Sequence, residues 1–302
     1  MKFYICAQNA HHKNVESIHK MMKKNNVEYT MQNDLSNIDE TYNVALCLTT
    51  FYPPEMFPTQ CKVVYGPHFF VFPTDASHPL HSHTFDPSRF FYNALTEWNV
   101  TIHRSFAKNI EFIACPFGLD IENIQQVPPV EQRTKVMVYF KARHNDCLET
   151  ALNFIKSKNE SIILLKYGHY TDNDFKQQLK DTKFVIWLGS HESQGFAFQE
   201  IQASNVPILV WDIRSTYDEY NNGWPHESYR KYGLPLLATS ANCWSDECGI
   251  KFTNVSELPD AYEQITKKLS TFTPRKFVES KLSLTITYNN LLKRIGLGTI
   301  DC

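Results

Sequence analysis

Four apolar runs constrain the second half of this chain more than any other feature. They are "VMVYF" (136–140), "SIILLKY" (161–167), "KFVIWLG" (183–189) and "PILVWD" (207–212). None alternates strictly between apolar and polar residues, so none reads as a strand with one face in water. Between them lie segments with helical spacing, over 146–157, 174–181 and 195–204. Continuous apolar strands separated by helices predict a parallel sheet covered on both faces. In such sheets ligands bind beyond the carboxyl ends of the strands.

The first half carries the same rhythm. "KFYICA" (2–7), "NVALCLTTF" (43–51), "CKVVYG" (61–66) and "IEFIACP" (110–116) read as strands. "KNVESIHKMMKKN" (13–25) reads as an amphipathic helix with Val15, Ile18, Met21 and Met22 on its core face. Lys20, Lys23 and Lys24 then form its solvated face. "SRFFYNALTEW" (88–98) reads as a helix opened by Ser88, whose hydroxyl can cap free N–H groups. "QQVPPVEQRTK" (125–135) is polar with two adjacent prolines, which predicts a linker. The expected organisation is α/β, with two doubly wound Rossmann-like domains and a cleft between them. Residues 1–126 form the first domain, 134–273 the second, and 274–302 a terminal helix that could cross back to the first.

The formal net charge is −2, so no basic footprint marks a nucleic-acid partner. No run of about 18 apolar residues predicts a membrane span. The start, "MKFYICAQNAHH", does not read as a signal peptide. Eight cysteines include no C-x-x-C pair, and several lie in strand-like runs. They read as buried thiols in a reducing, cytoplasmic compartment. Sequons at Asn99, Asn159 and Asn254 then read as chance matches.

The densest chemistry is "SHESQGFAFQE" (190–200), which follows an apolar strand and opens a helix. Ser193, Gln194 and Gly195 form the turn, and Gly195 lets a ligand approach the backbone closely. The first N–H groups and the positive dipole end of that helix favour a bound phosphate. Glu192 stands at the mouth, where a hydroxylated ligand can reach it. Glu200 stands eight residues on, where a carboxylate can accept bonds from paired ribose hydroxyls. The bland reading makes both glutamates ordinary helix charges. Lys141 and Arg143 follow "VMVYF" and supply two cations for a diphosphate clamp.

"HESQGFAFQEIQASNVPILVWD" (191–212) resembles the E-x7-E segment of GT-B glycosyltransferases, most of all the large retaining family 4-like group. "CPFGLDIENI" (115–124) and "ATSANCWSDECGIKF" (238–252) are similar to further segments of that group. The resemblance implies transfer of a sugar, of the hexosyl class, from a UDP- or GDP-linked donor to a glycan or other hydroxyl acceptor. It implies retention, no metal and no further cofactor. Glu200 would hold the ribose, Glu192 would lie near the donor sugar, and Ser193, Gln194 and Gly195 would contact diphosphate or sugar. Lys141 and Arg143 would neutralise the leaving diphosphate. The family spaces its two cations further apart, and its early loop is often glycine-rich where this chain has "AQNAHHKN". A binding protein without turnover and a nucleotide-sugar epimerase are the alternatives on this fold.

His11, in that early loop, and His68, in "YGPHFF", are candidates for the acceptor side. His78, His81 and His83, flanked by Asp75 and Asp86, could hold a metal, but a polar loop is the simpler reading. Asp172 and Asp174 in "TDND" match a metal-binding D-x-D pattern, yet their place before a helix predicts capping. Neither G-x-G-x-x-G nor a P-loop occurs.

Overall fold

A computed structural model describes residues 1–68, 79–215, 218 and 237–298. The chain divides into two compact units, Met1–Asp120 with Leu282–Cys302, and Ile121–Lys281.

The first unit is built on six parallel strands: β1 (Lys2–Cys6), β2 (Glu28–Gln32), β3 (Val44–Cys47), β4 (Lys62–Tyr65), β5 (Phe90–Asn93) and β6 (Glu111–Ile113). Their order is β2-β1-β3-β4-β5-β6. The central strands are buried on both faces, as their unbroken apolar runs require. One face packs Tyr4, Ala45, Val63, Tyr65, Tyr92 and Phe112 into a single cluster. Helix α1 (His12–Lys24) buries Ile18, Met21 and Met22, at the spacing the sequence predicts. Helix α2 (Glu97–Phe106) follows β5.

The second unit repeats the plan. Strands β7 (Lys135–Lys141), β8 (Ser161–Lys166), β9 (Thr182–Gly189), β10 (Ile208–Trp211) and β11 (Gly249–Phe252) lie in the order β11-β10-β9-β7-β8, all parallel. Helices α3 (Asn145–Ser157), α4 (Asp172–Leu179), α5 (Phe196–Ala203) and α6 (Leu258–Lys267) cover them. Val136, Val138, Ile186 and Leu188 meet Leu148, Ala151 and Ile155 of α3 and Ala261 and Ile265 of α6. The alternate residues Met137, Tyr139, Val185 and Trp187 meet Phe175 and Leu179 of α4 and Phe198 and Ile201 of α5. Strands β7, β9 and β10 therefore each feed two cores, which is why they carry no polar face. In both sheets the first strand lies between the second and the third, so the order reverses there. Crevices at such reversals are the ligand sites of open α/β sheets.

Several sequence expectations are corrected. The stretch 88–98 is not one helix: Ser88 turns on Asp86, Phe90–Asn93 form a fully buried strand, and the helix starts at Glu97. Aromatic residues buried on both faces of a strand outweigh helical spacing here. Strand β2, "EYTMQ", has no apolar run because it sits half-exposed at a sheet edge. The segment 125–135 is no free linker. Val127 N donates to the Ser204 carbonyl, and buried Arg133 donates to the carbonyls of Pro128, Thr182 and Asn205. Residues 275–297 form two helices, α7 (Pro274–Leu282) and α8 (Leu284–Arg294), and the unit boundary falls between Lys281 and Leu282. In the first unit, Leu119 N donates to the Leu282 carbonyl at 2.7 Å.

No helix among the described residues is long and apolar enough to cross a membrane. Asn99, in one sequon, is buried at 1% exposure. The seven described cysteines are all free thiols, five of them buried. Burial pushes the Cys61 and Cys115 thiols up to about 12.

Of the glycines in the second sheet, Gly249 makes the closest approach to neighbouring backbone. It pairs with Ile208 at φ +145°, and a Cβ there would lie 2.0 Å from the Ile208 carbonyl oxygen. Backbone cannot yield as a flexible side chain does, so Gly249→Ala should destabilise the protein by about 2–3 kcal/mol in urea unfolding. An unchanged midpoint would refute the close approach.

Candidate functional site

The order reversal in the second sheet lies between β7 and β9, and the chemistry-bearing residues gather at their carboxyl ends. Lys141 is the last residue of β7 and pairs in register with Gly189, the last of β9. Its Nζ bonds the Glu192 carboxylate at 2.5 Å. The Glu192 side chain is 7% exposed and that of Lys141 25%. The Lys141 Nζ also lies 4.7 Å from the centre of the Tyr167 ring. Burial opposes the lysine's charge, but the Glu192 carboxylate outweighs it, and the ammonium is held above the ordinary lysine range.

Ala142 takes φ +52°, a left-handed conformation that costs a non-glycine residue roughly 1–2 kcal/mol. It separates Lys141 from Arg143, which is 4% exposed. The Arg143 Nη1 donates to the carbonyls of Gly189 at 3.0 Å and Trp211 at 3.1 Å. Arg143 thus ties the ends of β9 and β10 together. Its Nε is buried with no partner among the described residues.

Gly189 ends β9 where a Cβ would lie 2.4 Å from the Trp187 indole nitrogen. After it, Glu192 N donates to the Thr239 carbonyl at 3.1 Å. Gly195 caps α5 in the left-handed region, φ +70° and ψ +48°, and contributes no side-chain bond to the helix's first turn. Buried Gln194 and Gln199 are bonded to each other, side chain to side chain at 2.8 Å and Gln199 Nε2 to the Gln194 carbonyl at 2.6 Å. Ser193 is half-buried beside them. Glu200 stands half-buried on α5, beyond its first turn. The fold thus brings Lys141, Arg143 and Glu192 to adjoining strand ends, with Ser193, Gln194, Gly195 and Glu200 in the turn and helix that follow.

Two residues that sequence reasoning did not single out hold this turn. Asp212, 7% exposed, lies just past β10 and accepts from Ile213 N, Ser240 N, Ser240 Oγ and Thr239 Oγ1 at 2.7–2.9 Å. It fixes the segment 239–240. Two residues on, Asn242 donates its Nδ2 to the carbonyls of Glu192 (3.2 Å), Ser193 (2.8 Å) and Gln194 (2.8 Å). The signal available in sequence was a carboxylate directly after an apolar run, Asp212 after "PILVW"; Asn242, in the polar "TSANC", carries no such mark.

The other candidates lie elsewhere in the fold. His11 is exposed and caps α1, its Nδ1 accepting from Lys13 N at 3.3 Å. His68 follows β4, with its ring edge-on to Tyr92 and its N–H donating to the Tyr92 hydroxyl at 3.3 Å. Both belong to the first unit, whereas the Lys141–Glu192 pair belongs to the second. His78 and Asp75 lie outside the described residues. Among the described residues, no group of three or more His, Cys, Asp or Glu side chains could hold a metal ion. At "TDND" the cap is Thr171, in a reciprocal box with Asp174.

The Lys141–Glu192 attraction has a defined pH window. A lysine whose folded value is raised stabilises the fold fully below its unfolded value of about 10.4, and that contribution is lost as pH climbs through the higher folded value. Wild-type stability should therefore fall above about pH 10.5, and Lys141→Met should flatten that fall; identical alkaline slopes would refute it. Asp212→Ala removes the acceptor for five donor groups, the Lys251 ammonium at 3.5 Å among them. It should cost about 3 kcal/mol in urea unfolding, and a loss below about 1 kcal/mol would show that the segment 239–242 holds itself.

No protein-family model matches this chain. No curated protein matches it either. Solved structures do share its fold. The lipopolysaccharide outer core galactosyltransferase WaaB gives a TM-score of 0.54 at 8% identity, over 98% of this chain and 99% of that one. An alpha-glucosyltransferase in complex with UDP and a 13-mer DNA gives 0.50 at 8% identity, over 98% of each. TarM gives 0.49 at 15% identity over 83% of this chain, which spans about half of TarM's length, 54%. At these identities the likeness is one of architecture: the chain has the two-domain, Rossmann-like GT-B fold.

Proposed function

We propose that this protein is a glycosyltransferase that moves a hexosyl group from a UDP- or GDP-linked donor to a hydroxyl acceptor, with retention and without a metal. The observation that carries the reading is the Lys141–Glu192 pair at 2.5 Å, set at the sheet reversal and followed by the glycine-capped start of α5. WaaB, whose fold the chain shares, is named a galactosyltransferase, and the alpha-glucosyltransferase was solved with UDP.

In this reading the diphosphate lies at the first turn of α5, where main-chain N–H groups and the helix dipole meet its charge. Lys141 supplies one positive charge, and Arg143 adds a second that is fixed to the strand ends. Glu200 accepts from the ribose hydroxyls. Glu192 orients the donor sugar and holds the Lys141 ammonium in place. The bond from the anomeric carbon to the diphosphate oxygen breaks, and negative charge grows on that oxygen, where Lys141 stabilises it most. The acceptor oxygen bonds to the anomeric carbon from the same face. Its proton passes to the departing phosphate oxygen, so no protein nucleophile is needed. His11 and His68 remain the candidates for the acceptor side. The thiols remain reduced, as in the cytoplasm.

A thermal-shift panel with UDP, GDP, ADP and CDP tests the donor site. One nucleotide at about 100 times its dissociation constant should stabilise the protein by about 2.7 kcal/mol, and Glu200→Ala should abolish the shift. A panel in which none of the four shifts the midpoint would sink the reading. With the donor known, Glu192→Ala should cut sugar transfer by roughly a hundredfold or more; undiminished transfer would remove Glu192 from the site.

A further inference from the structure

Asn242 places one side-chain nitrogen on three successive carbonyls, those of Glu192, Ser193 and Gln194. Three acceptors require the donor end of the amide, so chemistry fixes its orientation. In a trans peptide the C=O and the following N–H point to opposite sides. The cis bond among the described residues is Gly66–Pro67, so the peptides after Glu192, Ser193 and Gln194 are all trans. Three carbonyls drawn to one nitrogen therefore turn the N–H groups of Ser193, Gln194 and Gly195 away from it. Held in this way, the turn delivers the left-handed Gly195 to the start of α5, whose first N–H groups and dipole favour an anion.

The surroundings are shaped for this one contact. The Asn242 side chain is buried, at 4% exposure, and its Oδ1 has no partner among the described residues. An unpaired buried acceptor weakens a fold; here it accompanies the three donor contacts. A Cβ on Gly195 would lie 3.2 Å from that Oδ1, so the turn fits closely around the amide. Cys243, the next residue, takes the left-handed φ of +52°. Asp212 anchors the segment from below through Thr239 and Ser240.

We infer that Asn242 is a positioning residue: it holds the turn 192–194 so that the start of α5 is aimed at the donor diphosphate. The inference rests on the nucleotide-sugar reading above and names what aims the backbone at that site. Its effect falls on the charged part of the ligand alone, which separates it from a residue that only stabilises the fold.

The test is calorimetric titration of wild type and Asn242→Leu with inorganic pyrophosphate, with the nucleoside diphosphate that the thermal panel selects, and with its uncharged nucleoside. Asn242→Leu should weaken pyrophosphate and diphosphate binding by at least about tenfold, and leave nucleoside affinity within about twofold. Equal weakening of all three ligands would mark a purely structural residue and overturn the inference, as would no weakening. If Asn242→Leu does not fold, wild type labelled with 15N-glycine decides. The Gly195 amide, assigned by its absence in Gly195→Ala, should shift on adding pyrophosphate, and a stationary peak at saturation would overturn the inference. Failure of wild type to bind pyrophosphate or any nucleoside diphosphate would instead remove the functional reading, and this inference with it.

Discussion

The candidate site depends on one buried carboxylate. Asp212 sits just past β10 and binds Thr239 and Ser240 through side chain and backbone. That tie fixes the Thr239 carbonyl, which receives Glu192 N, and places Asn242, which receives three carbonyls of the next turn. The turn in turn sets the left-handed Gly195 that starts α5. A carboxylate with this many donors is worth more than a surface charge, because each partner would otherwise be buried without a bond. A change at Asp212 is therefore a change at the start of α5, although Asp212 carries no role in the proposed chemistry.

The second constraint is the sheet order. Both units place the first strand between the second and third, which opens a crevice where the order reverses. In the second unit that crevice holds Lys141 and Glu192 as a close pair. An ion pair so little exposed is not a device for stability alone, since desolvation offsets much of its attraction. Its place at the reversal, beside a strained Ala142, agrees better with a charge kept ready for a ligand.

Much of the fold was legible in the sequence. The four apolar runs of the second half are the strands β7 to β10, and the helical spacing of 13–25 is α1. The errors have physical causes. "FFYN" fits a helix or a strand because three consecutive aromatic residues satisfy either period, and burial on both faces decides for a strand. "EYTMQ" carries no strand signal because an edge strand needs no apolar run. The Pro-Pro stretch read as a linker because composition does not reveal that Arg133 is buried and donates to three carbonyls.

What the sequence determined by itself was the class of sheet and the presence of two glutamates, two cations and a glycine turn at strand ends. Unbroken apolar runs can be satisfied only between two layers of helices, and that requirement is local to each run. What only the tertiary structure decided was which of those groups meet. Lys141 and Glu192 are 51 residues apart and Asn242 is 50 beyond Glu192, yet one bonds the carboxylate and the other the carbonyl of that same residue. No periodicity encodes such contacts, because they follow from the order of strands in the sheet and from where each strand happens to end.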